Sequence, residues 1–60
     1  MNKIELYKSN GNWMAHQEDA EIMELFGTYD IPTAFTSAAD PQKVVAEIKR
    51  LNPGKVVIVR

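Results

Sequence analysis

The sequence predicts an α+β domain: a small two-layer α/β sandwich in the order β-β-α-(β)-α-β, with a three-stranded mixed sheet and two helices on one face. Three observations carry that expectation. Residues 40–51, DPQKVVAEIKRL, place Val44, Val45, Ile48 and Leu51 on one stripe of a 3.6-residue period, which is an amphipathic helix. The run Val56-Val57-Ile58-Val59 is β-branched without polar alternation, as a strand covered on both faces would be. Near the N-terminus an Asn-Gly pair separates two alternating segments, the strongest short-range signal for a hairpin.

Taken in order, KIELYK over residues 3–8 alternates Ile4 and Leu6 with Lys3, Glu5 and Tyr7, which is a half-buried strand. Asn10 and Gly11 tolerate the two positive φ angles of a type I′ turn. With these as the two loop residues, Lys8 falls opposite Trp13, Tyr7 opposite Met14, Leu6 opposite Ala15 and Glu5 opposite His16. One face then carries Ile4, Leu6, Trp13 and Ala15 to the core. The other carries Tyr7 and Met14, with Glu5 and His16 as an ion pair.

Gln17-Glu18-Asp19 supplies polar caps and early negative charge, and Ile22, Leu25 and Phe26 supply a stripe, so a short helix is expected over about Asp19 to Phe26. Gly27 takes the left-handed position that ends it. Pro32 biases Ile31 toward an extended state, and residues 33–36 read equally as a short strand or a connector. Asp40 and Pro41 mark the second helix twice, as a side-chain cap and as a first-turn residue that needs no N–H. Ser37, three residues before Asp40, offers an alternative start. Lys49 and Arg50 complement the helix C-terminus, and Asn52-Pro53-Gly54 stops it. The expected spatial order is 2-1-3, with the last strand parallel to the first. The predicted core is Ile4, Leu6, Trp13, Leu25, Phe26, Val45, Ile48 and Leu51.

Residues 1–60 make one domain of marginal size, able to bury only about 60% of the surface its unfolded chain exposes. There is no cysteine and a single histidine, so disulfides, thiolate metal sites and multi-histidine clusters are excluded. No leader-type apolar segment or membrane span is evident, which points to the cytoplasm. Net charge is −1, but residues 1–31 carry −4 and residues 32–60 carry +3. That split does not provide the strong positive field that nucleic-acid binding usually needs.

His16, Glu18 and Asp19 match no metal-ligand spacing, and Asp19 is more simply a helix cap. His16 is the only base available to activate Ser9, Ser37, Thr28, Thr33 or Thr36, and a domain this size has little room for a water-excluding pocket. No catalytic residue, cofactor or metal is expected, and the chain is read as a non-enzyme. Trp13 reads as the largest core anchor rather than a platform for bases. The functional expectation is a small protein-interaction module acting on a partner protein or on itself as a homodimer. Its surface is the open sheet face: Tyr7, Met14, His16, Val57 and Val59. The alternative is a nucleic-acid-binding or regulatory protein using the basic half, Lys43, Lys49, Arg50, Lys55 and Arg60. Lys43 and Arg50 are seven apart on one helical face, with Lys49 beside them.

Overall fold

A computed structural model describes residues 2–60. Its elements are β1 (Lys3–Ser9), β2 (Asn12–His16), α1 (Ala20–Phe26), β3 (Asp30–Thr36), α2 (Pro41–Leu51) and β4 (Val56–Val59). They form a small α+β domain with two helices and a mixed four-stranded sheet in the order β3-β2-β1-β4. The segment that sequence left between strand and connector is a strand, longer than 33–36 and paired antiparallel to β2. It can contain Pro32 because it is an edge strand.

The hairpin forms as its turn chemistry dictates. Asn10 and Gly11 have φ of 52° and 78°, and the register pairs Glu5 with His16, Leu6 with Ala15, Tyr7 with Met14 and Lys8 with Trp13. β4 lies parallel to β1, pairing Ile4 with Val57 and Leu6 with Val59. The pairing of β2 with β3 shifts register between Asn12 and Met14. The Trp13 carbonyl in that irregularity accepts from Thr33 Oγ1 at 2.8 Å and from Asn12 Nδ2 at 2.9 Å, so no backbone acceptor is stranded there.

Both helices begin and end as their capping residues prescribe. Asp19 and Asp40 accept the Glu21 and Gln42 N–H groups at 2.8 and 2.9 Å. Gly27, at φ 72°, donates its N–H to the Met23 carbonyl. Asn52 closes α2 with its N–H and its side-chain Nδ2, both donating to the Ile48 carbonyl.

One face of the sheet and α2 enclose the core of Ile4, Leu6, Trp13, Val44 and Val57, with Ala15, Phe35, Ala39, Val45 and Ile48 packed around it. Leu6 and Val44 are fully enclosed. The Trp13 indole N–H donates to the Ala39 carbonyl at 3.2 Å, tying the hairpin to the entry of α2, and Lys8 lies 5.2 Å from the ring.

Three residues expected in the core are not there. Leu25 and Phe26 of α1 are 74% and 57% exposed, and Leu51, at the end of α2, is 58% exposed. The reason for α1 is tethering. Gln17 N–H donates to the Tyr29 carbonyl at 3.0 Å, so the connection leaves and re-enters the sheet at neighbouring points. The helix it carries is held at the sheet's end, and no residue of α1 is buried. Leu51 lies in the final turn, beyond the part of the stripe that meets the sheet.

Candidate interaction surface

The face of the sheet opposite the core is built from the alternate residues of each strand. β1 presents Lys3, Glu5 and Tyr7; β2 presents Met14 and His16; β3 presents Asp30, Pro32 and Ala34; β4 presents Val56 and Ile58. Tyr7, Met14 and His16 therefore occupy the face assigned to them from sequence. Val57 and Val59 do not. Val57 is buried beside Ile4 in the core, and Val59 lies on the helix side, in a groove along α2. A run of four β-branched residues has no alternation to reveal its inner face, and the parallel register with β1 turns Val56 and Ile58 outward instead.

The centre of this face is a hydrogen-bonded array across three strands. Tyr7 Oη donates to Asp30 Oδ1 at 2.5 Å, and His16 Nδ1 lies 2.9 Å from the same oxygen. His16 Nε2 lies 3.3 Å from Glu18 Oε2, and the His16 ring meets Tyr29 edge-on with centroids 6.2 Å apart. Both ring nitrogens thus face carboxylates, which only the imidazolium satisfies with two donors. Hydrogen bonding to Asp30, then to Glu18, raises the His16 pKa from its ordinary value. The Tyr7 hydroxyl, then His16, lower that of Asp30. The bond to Asp30 raises that of Tyr7.

A second array adjoins it. Arg60 Nε donates to Glu5 Oε2 at 2.9 Å, and its guanidinium carbon lies 4.4 Å from the centre of the Tyr7 ring. Lys3 Nζ lies 3.2 Å from Glu5 Oε1. Arg60, then Lys3, lower the Glu5 pKa. The expected Glu5–His16 pair therefore does not form, although the two are register neighbours. Each has a partner from elsewhere: Glu5 takes Arg60, which follows β4, and His16 takes Asp30, which opens β3. Asp30 went unnoticed in the sequence because its place opposite His16 depends on a strand whose start was not legible.

The recess between Lys3, Glu5, His16 and Glu18 has room for about one water molecule, with a volume of about 10 Å³. Ligand pockets are usually some hundreds of Å³. Among the described residues no three metal-ligating side chains converge, and Asp19 is engaged as the α1 cap. No described helix is long and apolar enough to cross a membrane.

The five cations of the C-terminal half do not gather. Lys43, Lys49 and Arg50 are on α2, Lys55 precedes β4, and Arg60 lies over Tyr7 on the opposite side of the sheet. Arg50 holds both oxygens of Glu47, at 2.9 and 2.5 Å, and Arg60 holds Glu5. Comparison of the chain with family models, with curated proteins and with solved structures gives no match.

Proposed function

We propose that this protein is a small interaction module that binds a partner protein through the helix-free face of its sheet. The observation that carries the reading is the make-up of that face. A central band of hydrogen-bonded and ion-paired side chains, Lys3, Glu5, Arg60, Tyr7, Asp30 and His16, lies between apolar groups, with Met14, Pro32 and Ala34 on one side and Val56 and Ile58 on the other. A surface whose rotamers are already held by hydrogen bonds loses little side-chain entropy on binding. Its mixture of an aromatic ring, a methionine and an arginine is the composition enriched at protein interfaces. The nucleic-acid reading has weaker support, because two of its five cations are engaged by carboxylates and the set is divided between two sides of the sheet.

The test is site-specific photo-crosslinking in the native cell extract. A photoreactive side chain at Met14 should capture one discrete protein species, while the same group at Lys43 on the exposed side of α2 should not. Equal labelling from both positions, or none from Met14, refutes the assignment of this face.

A further inference from the structure

The two edges of the sheet are treated differently. On β3, the Gln17–Tyr29 bond sets the alternation so that Ile31 turns its backbone toward β2 and the nitrogen of Pro32 faces outward. A proline there removes a donor from the free edge, a common way of blocking pairing with another strand. β4 has no such device. Val56 N–H donates to the Asn2 carbonyl at 2.8 Å and Arg60 N–H to the Leu6 carbonyl at 2.9 Å. The even-numbered residues of β4 thus serve β1, and Val57 and Val59 turn their N–H and C=O groups away from the sheet. The strand contains no charge, proline or glycine, and Val56, Ile58 and Val59 are exposed.

We propose that β4 pairs antiparallel with β4 of a second copy, about a two-fold axis through Ile58, joining two four-stranded sheets into one of eight strands. This goes beyond the open-face reading and does not depend on it. Side-chain direction limits the pairing to registers that match residues of the same face. With Ile58 on the axis, Val57 and Val59 of the two copies exchange N–H to C=O bonds, and all four outward donors and acceptors on each strand are used. Ile58 meets Ile58 at a close, non-hydrogen-bonded pair, and Arg60, already held by Glu5, falls opposite Val56. No two cations face each other across the axis.

The helix side supports the same occupant. An apolar groove of about 340 Å³ runs between the β4 edge and α2, lined by Pro41, Gln42, Val45, Ala46, Lys49 and Val59. A two-fold axis perpendicular to the sheet places both α2 helices on one face and antiparallel. The groove of each copy, with Val45 and Ala46 in its lining, then faces that of the other across the axis. At a net charge of −1, long-range repulsion between copies is weak.

The experiment uses the full chain, with sedimentation over a concentration series and amide hydrogen exchange by NMR. The parent should form dimers in which the Val57 and Val59 amides become protected as concentration rises. Ile58→Lys places two ammonium groups across the axis and should weaken dimerisation at least about tenfold. Val59→Pro deletes an outward donor while sparing the bonds to β1, and should do the same. Leu25→Lys, the same kind of change on the exposed face of α1, should leave dimerisation unchanged. Circular dichroism confirms that each variant is folded. Should either β4 variant fail to fold, the concentration dependence of Val57 and Val59 protection in the parent decides alone. A monomer at every concentration, a dimer with unprotected Val57 and Val59 amides, or a dimer lost in Leu25→Lys but retained in Ile58→Lys overturns the proposal.

Discussion

Trp13→Ala is the perturbation on which the account of the core depends most. Trp13 is 2% exposed, in a cluster with the fully enclosed Leu6 and Val44, and its N–H is bonded to the Ala39 carbonyl. Truncating a buried aromatic costs about 3–5 kcal/mol, from lost transfer free energy and the cavity left behind. Loss of the indole donor adds roughly 1 kcal/mol. The total stability expected for a chain of 60 residues is only on the order of 3–9 kcal/mol. The variant should therefore be largely unfolded, or melt at least about 15 °C below the parent, since each kcal/mol moves the midpoint of so small a domain by about 4–8 °C. Far-UV circular dichroism is the appropriate assay, because the substitution removes the only tryptophan fluorophore. Tyr7→Ala, on the opposite face, is the control and should keep a cooperative transition. A Trp13 variant melting within a few degrees of the parent, beside a Tyr7 variant that is unfolded, would mean that the two faces of the sheet have been exchanged.

Two further expectations follow from the same geometry. Leu25→Ala and Phe26→Ala should each change stability by no more than about 0.5 kcal/mol in urea titrations, because both side chains are mostly in water; a loss near 3 kcal/mol would place α1 against the core. His16 should make stability fall with rising pH. Its folded-state pKa is raised by Asp30 and Glu18, so its contribution is complete below the ordinary imidazole value of 6.5 and is lost as pH rises through the higher folded value. Thermal midpoints should decline over that interval in the parent and stay flatter in His16→Gln, and parallel curves would show that the Asp30–His16–Glu18 contacts contribute nothing. Asp30, whose pKa is lowered, acts in the opposite direction: its contribution is present above the ordinary carboxylate range and lost as pH falls through the lower folded value.

Local chemistry explains which features were legible from residues alone. The Asn10-Gly11 pair set the hairpin and its register, and hence the inward Ile4, Leu6 and Trp13 and the outward Tyr7, Met14 and His16. Asp19 and Gly27, and Asp40 with Asn52, set the helix limits to within a residue, because a cap satisfies backbone groups of its own helix and needs nothing distant. The parallel placement of the last strand beside the first followed from connection rules.

The rest depended on contacts between segments far apart in the chain. Val56–Val59 reads the same on both faces, so only pairing with β1 determined that Val57 is enclosed and that Val56 and Ile58 face outward. α1 has the stripe of a core helix, yet its seven residues span neighbouring points on β2 and β3, and the space over the core face is taken by α2, so Leu25 and Phe26 remain in water. The polar array was hidden for the same reason. Tyr7, His16, Asp30 and Arg60 come from three strands and the residue after the fourth, and no local signal links a carboxylate to a ring 14 or 23 positions away. By itself, then, the sequence determined every element but β3, the ends of both helices and the register of β1 with β2, all of which rest on short-range pattern and backbone chemistry. Which apolar residues are enclosed and which polar ones meet was settled only by packing, because both depend on the neighbour that folding brings alongside.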